Sequence, residues 1–263
     1  MLDVVYGQAT EPGRVWPRNA DAAAAFVPRS REEVRSKGWM FVMADGRGAT
    51  ELGNIASQRA VERMVDGFKH AAEHSPLTSL MPRLVQHANT AVHDEALAPD
   101  RRGKRFATTV IACALRDDTA VISHVGDSRC YQVRYEQATL LTEDHTSVAE
   151  QTKAGTMTAM QAEHSENRHV LTRSLGPDLS VSPDTAVVPV LPGDVLVLCT
   201  DGLYEAMYPE DIARIVSQEI DPAAIARELV AYAVQSDGSD NMTAQVVRVL
   251  STQSTTHARH PAR

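Results

Sequence analysis

The chain has 263 residues, 43% of them hydrophobic, and its 34 acidic against 26 basic residues give a formal charge of −8. That length supports one large domain with a substantial core, and an acidic balance without a basic stripe excludes a nonspecific grip on nucleic-acid phosphates. No apolar stretch approaches the roughly 20 residues of a membrane span, and Met1-Leu-Asp-Val-Val-Tyr6 lacks a basic segment followed by a long apolar one, so a soluble, cytoplasmic protein is expected.

In chain order, residues 4–9, 22–27 and 38–44 read as strands, with the charged residues 28–36 as a loop between the second and third. From Glu51 the period lengthens. Val61, Met64, Val65 and Phe68 fall at i, i+3, i+4 and i+7, and Met81, Leu84, Val85, Ala88 and Val92 repeat the pattern after Pro76, predicting two amphipathic helices. Between Ala107 and Leu141, apolar runs separated by Arg116-Asp-Asp118 and Gly126-Asp-Ser-Arg129 predict antiparallel strands with short turns. Residues 143–168 are polar and lack a sustained period, which suggests a mobile flap near a site. The turn Pro192-Gly-Asp194 leads into a strand over 195–199, helices follow at 209–217 and 222–234, and a last strand ends near Val249. Residues 1–250 thus read as a single domain, and 251–263, with almost nothing to bury, as a disordered tail. Strands in both halves with helices in two clusters make an α+β domain, two antiparallel sheets flanked by helices. Cys113, Cys130 and Cys199 lack CxxC spacing and read as buried thiols in a reducing compartment.

Four aspartates sit at the mouths of apolar runs: Asp45 after residues 39–44, Asp127 after 121–126, Asp201 after 195–200, and Asp240 before 241–249. Any one of them alone is more often a turn former than a ligand. Four carboxylates at the strand mouths of one core would repel one another by several kcal/mol, and divalent cations remove that repulsion. Such hard oxygen ligands suit Mg²⁺ or Mn²⁺ rather than zinc or copper.

The motifs then occur in a specific order: Arg18-Asn-Ala-Asp21, Ala44-Asp-Gly46, Gly126-Asp-Ser-Arg129, Leu141-Thr-Glu-Asp-His145, Leu171-Thr-Arg-Ser-Leu-Gly176, Thr200-Asp-Gly202 and Ser239-Asp-Asn-Met-Thr243. From about Tyr6 to Val249 the chain resembles the type 2C (PPM) family of metal-dependent serine/threonine protein phosphatases, bacterial type. The resemblance implies a β-sandwich with helices on each outer face (α-β-β-α). It also implies hydrolysis of phosphoserine or phosphothreonine on proteins by a metal-activated water, with no protein nucleophile, opposing a bacterial Ser/Thr kinase. Two Mn²⁺ or Mg²⁺ ions would be held by Asp45 as the bridge, the Gly46 carbonyl, Asp201 and Asp240, and a third ion by Asp127. Asn241 and Thr243 would orient Asp240. Asp21 is either an acid that supports the ligands or a residue that merely starts a strand. His145, His124 and Arg173 are read as packing, interior and bracing residues ahead of any catalytic role.

Three positions depart from the family's pattern. Ala20 stands where Glu or Gln is usual, and Trp16 stands at the place of the phosphate-binding arginine, which leaves that task to Arg14 or Arg18. Asp45-Gly-Arg-Gly-Ala49 replaces Asp-Gly-x-Gly-Gly, so that Arg47 either repositions phosphate binding or repels a metal. These departures keep two other readings open: a catalytically weakened regulatory or phosphoprotein-binding module, and a metallohydrolase of small phosphoesters.

Overall fold

A strand that is apolar on both faces needs a cover on both, and β3 (Trp39–Asp45) shows the requirement. Met40, Val42 and Ala44 face one way and Phe41 and Met43 the other, all with 0% exposure. The computed structural model of the chain describes residues 1–16, 18–47, 50–101, 103–104 and 106–252. The expected tail from residue 253 onward and the pair Gly48-Ala49 lie outside the described residues.

One sheet has the spatial order β1 (Asp3–Glu11), β10 (Met242–Ser251), β9 (Val195–Cys199), β6 (Arg129–Arg134), β7 (Gln137–Leu140). The other runs β2 (Asp21–Phe26), β3, β4 (Val110–Arg116), β5 (Thr119–Val125), β8 (Asp184–Pro189). The pairings within both sheets are antiparallel. Phe41, Met43, Ile111 and Ile122 of the second sheet meet Leu196, Leu198, Val247 and Val249 of the first. Each such side chain withdrawn from water contributes roughly 1.5–3 kcal/mol. The outer face of the second sheet is covered by α2 (Glu51–His70) and α3 (Leu77–Ala96), through Met64, Phe68, Met81, Leu84 and Val85. The outer face of the first is covered by α7 (Pro209–Gln218) and α8 (Pro222–Ser236), through Ile212, Ile215, Ile225 and Leu229. The result is the α-β-β-α sandwich. All three cysteines are free and buried.

Several elements differ from expectation. Residues 28–36 are not wholly a loop: α1 (Arg31–Ser36) starts there, because Ser30 accepts the Glu33 N–H and Glu32 and Glu33 favour the first turn. The flap segment contains α4 (Ser147–Lys153) and α5 (Ala159–Glu163), the latter opened by a Thr158/Gln161 capping box. The strands β7 and β8 were not expected, nor was the single-turn α6 (Asp201–Tyr204). β10 runs to Ser251, where the tail was expected to begin, and the Ser251 hydroxyl donates to the Met1 carbonyl at 2.9 Å.

Candidate metal centre

The strand ends bring the four aspartates to one end of the sandwich. Asp45 is the last residue of β3, Asp127 lies between β5 and β6, Asp201 opens α6 directly after β9, and Asp240 stands just before β10. All four line a cleft of about 260 Å³, together with Trp16, Arg47, Thr109, His169 and Leu171.

Local hydrogen bonds fix the Asp45 backbone and the carboxylates of Asp201 and Asp240. The Asp45 N–H donates to the Thr109 hydroxyl at 2.9 Å, and the Asp45 carbonyl accepts from the Thr109 N–H and the Thr108 hydroxyl. One Asp201 oxygen accepts the Gly202 N–H at 2.7 Å, and one Asp240 oxygen accepts the Asn241 N–H at 2.7 Å. Glycine follows Asp45 and Asp201 for a steric reason. A Cβ on Gly46 would stand 2.1 Å from the Gly53 carbonyl oxygen, and one on Gly202 would stand 2.4 Å from the Asn241 carbonyl oxygen. Both aspartate-bearing turns therefore pack backbone to backbone.

Asp21 pairs with Asp45 across β2 and β3. Its Oδ2 accepts from the Thr200 hydroxyl at 2.9 Å and the Thr243 hydroxyl at 2.6 Å, while its buried Oδ1 has no hydrogen-bond partner among the described residues. Burial, opposed by those hydroxyls and reinforced by the charges of Asp201 and Asp240, pushes its carboxyl up to about 7. Burial and then the charges of Asp201, Asp21, Asp127 and Asp240 hold Asp45 well above the usual carboxylate range. Burial followed by Asp201 and Asp144 does the same for Asp127, and burial followed by Asp240 raises Asp201.

These surroundings fit divalent cations. The four carboxylates offer hard oxygens, burial and neighbouring aspartates make Asp45, Asp127 and Asp201 costly to ionise without a cation, and the unpartnered Asp21 oxygen suits a water held by a cation. Among the described residues no three His, Cys, Asp or Glu side chains are drawn together closely enough to cage an ion by themselves. Backbone carbonyls and water must therefore complete any coordination.

Not every expected residue reaches the cleft. Gly46 lies beside Asp45, but its carbonyl sits toward Gly53 and it is not among the cleft-lining residues. Arg14 and Arg18 do not line it either. The Arg14 N–H is tied to the Gly238 carbonyl at 2.8 Å, and the exposed Arg18 guanidinium reaches to 4.0 Å from Glu51. The Asn241 side chain does not touch Asp240. It accepts the Ala20 N–H and donates to the Pro12 and Arg18 carbonyls, stapling residues 12–20 to the Asp240 turn. Thr243 serves Asp21 rather than Asp240. Thr109, His169 and Leu171 were not singled out in the sequence as lining a site. A Thr-Thr pair one step before β4 was the available signal for Thr109, Leu171 opens the motif Leu171-Thr-Arg-Ser-Leu-Gly176, and no pattern marks His169.

The flap is tied back to the cleft. His169 Nδ1 lies 3.2 Å and Arg168 Nε 3.8 Å from the carboxylate of Glu205, the residue that ends α6. Beneath the cleft, Arg129 makes a bidentate pair with Asp144 at 2.7 and 3.0 Å and stacks 3.7 Å over the Tyr204 ring. Just past the same end of the flap, Arg173 donates to Asp184 at 2.7 Å.

Comparison with known proteins gives the family and matches the fold. A family model described as Protein phosphatase 2C matches residues 23–251. Protein phosphatase PhpP of Streptococcus pneumoniae is 30% identical over 246 residues, covering 90% of this chain and 94% of that protein. The solved serine/threonine phosphatase of S. agalactiae superposes with a TM-score of 0.84 at 28% identity, covering 94% of this chain and 99% of the other. The catalytic domain of the serine/threonine protein phosphatase PstP, solved in complex with two manganese ions, superposes with a TM-score of 0.80 at 26% identity, covering 95% and 100%.

Proposed function

The chain belongs to the protein phosphatase 2C family, and from that premise we propose that Asp45, Asp201 and Asp240 hold two divalent cations and that Asp127 holds a third. The protein is a metal-dependent protein serine/threonine phosphatase. The observation that carries the site assignment is the convergence of four aspartates from four separate chain segments on one cleft. When bound, divalent ions there supply water activation and offset the charge of the phosphoryl group. The chain's own contribution is to orient the carboxylates through Thr109, Gly202 and the Asn241 N–H, and to place Asp21 for a supporting hydrogen bond. Manganese is the proposed working ion, supported by the two manganese ions in PstP and by the all-oxygen donor set. The proposed substrate is a phosphoprotein in the pathway of a Ser/Thr kinase. A cytoplasmic setting is part of the same proposal, supported by three free buried thiols; no helix among the described residues is long and apolar enough to cross a membrane. A weakened regulatory module is not favoured, because the carboxylates are intact and share one cleft.

Asp201→Asn tests the assignment. The substitution keeps the shape of the side chain and removes one charge, so turnover of a phosphopeptide with added Mn²⁺ should fall roughly 100-fold or more while the thermal transition of the metal-free protein stays cooperative. Unchanged turnover would refute the role of Asp201.

A further inference from the structure

Among the described residues lining the cleft, Arg47 is the one whose side chain carries a permanent positive charge. Four carboxylates line the same cleft, yet the ion pairs among the described residues engage other arginines: Arg18 with Glu51, Arg129 with Asp144, Arg173 with Asp184. None engages Arg47. A guanidinium that shares a cleft with four carboxylates and makes contact ion pairs with none of them is available to another anion.

Its backbone is fixed. The Gly46 N–H donates to the Ala20 carbonyl at 3.1 Å and the Arg47 N–H to the Ala107 carbonyl at 3.0 Å. The turn is also wedged against the start of α2, where a Cβ on Gly53 would stand 2.8 Å from the Arg47 carbonyl oxygen. Asp45 and Arg47, two residues apart on this pinned turn, both face the cleft. The remaining wall includes Trp16, a residue without charge, while Arg14 and Arg18 stay outside.

Geometry decides what the free guanidinium is for. On the reading given above, the four carboxylates are taken up with the divalent cations, so the non-bridging oxygens of a phosphate monoester still need directional hydrogen-bond donors. A planar guanidinium matches two phosphoryl oxygens at once. We propose that Arg47 is the phosphoryl clamp of this enzyme, donating two hydrogen bonds to non-bridging oxygens of the substrate phosphate, a task that neither Arg14 nor Arg18 performs. The inference rests on the metal-phosphatase reading, and its test separates the two.

Arg47→Ala, Arg47→Lys, Arg14→Ala, Arg18→Ala and Asp201→Asn would be compared for phosphopeptide kinetics, for inhibition by inorganic phosphate, and for the Mn²⁺ concentration that half-saturates the thermal shift. Arg47→Ala should raise KM and the phosphate inhibition constant together by roughly 10- to 100-fold, with the Mn²⁺ midpoint unchanged. Arg47→Lys, which keeps the charge and loses the fork, should fall between. If folded Arg47→Ala keeps both constants, if its Mn²⁺ midpoint moves instead, or if Arg14→Ala or Arg18→Ala carries the loss, the proposal is overturned. Loss of turnover in Asp201→Asn alongside any of those results overturns this inference alone; full turnover in Asp201→Asn overturns the metal reading instead.

Discussion

His145 is 1% exposed, and its Nδ1 accepts the Gly126 N–H at 3.1 Å, which leaves the ring proton on Nε2. That nitrogen lies 3.3 Å from the Asp184 carboxylate but out of line for a hydrogen bond. The ring stacks on His124 at 4.7 Å, and Arg173 stands nearby. Burial, then His124, then Arg173 push the imidazole down from 6.5 to about 4, against the pull of Asp184. The unfolded chain therefore binds the extra proton between those values. The stability His145 contributes is full above pH 6.5 and is lost as pH falls through about 4, a loss of roughly 3 kcal/mol. Urea unfolding of chelator-treated wild type and His145→Gln at pH 7 and 4.5 should show the wild type losing about 2 kcal/mol more across that interval; parallel losses would exclude the assignment. At this scale the sequence showed which residues carry charge and not always where the charge points. Asp45, Asp127, Asp201 and Asp240 were legible because a strand end fixes their direction. Arg14 and Arg18 were not, because their orientation depends on Gly238 and Glu51, far away in the chain.

The flap is the element whose attachment matters most. Both of its ties follow its two short helices in the chain: one to Asp184 through Arg173, the other to Glu205 through Arg168 and His169. Glu205 ends α6, whose first residue is Asp201, so the second tie places His169 and Leu171 against the cleft. These pairs are partly exposed and each is worth no more than about 1 kcal/mol. Glu205→Gln should therefore lower kcat/KM for a phosphopeptide roughly fivefold, while hydrolysis of a small aryl phosphate changes less than twofold. An equal fall on both substrates would locate the effect at the metals instead of the flap. The legible elements were those that repeat a period over a long stretch, as α2 and α3 do through Val61 to Phe68 and Met81 to Val92. β7 is four residues long and mostly exposed, and β8 buries almost none of its side chains, so neither offered an apolar run. α1 was readable from Ser30 and Glu33 and was obscured by the surrounding charges. Thr146 and Thr158 likewise start helices that no apolar face announces.

Across the whole molecule, folding brings like charges to one end of the sandwich and thereby makes metal binding a stability term. The metal-free fold holds Asp21, Asp45, Asp127 and Asp201 against raised pKa values, and cations relieve that opposition. Manganese at about 100 times its Kd should stabilise the protein by roughly 2.7 kcal/mol and raise Tm by roughly 5–10 °C. Asp201→Asn should show a smaller rise at the same concentration. A melting curve indifferent to Mn²⁺ would contradict the site. The layered architecture was legible as a whole because apolar runs of β type filled both halves of the chain; the pairing of the first strand with the last was not, since no local pattern names a distant neighbour. That pairing sets β10 between β1 and β9, with Thr10 and Thr243 sharing a 2.7 Å hydrogen bond across 233 positions. A chain emerging from the ribosome therefore carries β1 without its neighbour until nearly all of the sandwich has been made. Asp240 stands at the head of that late strand, so a nascent chain already displaying Asp45, Asp127 and Asp201 lacks both the inner strand and the fourth carboxylate. On the ligand assignment proposed above, the metal site is therefore complete only once the sandwich has been closed by β10.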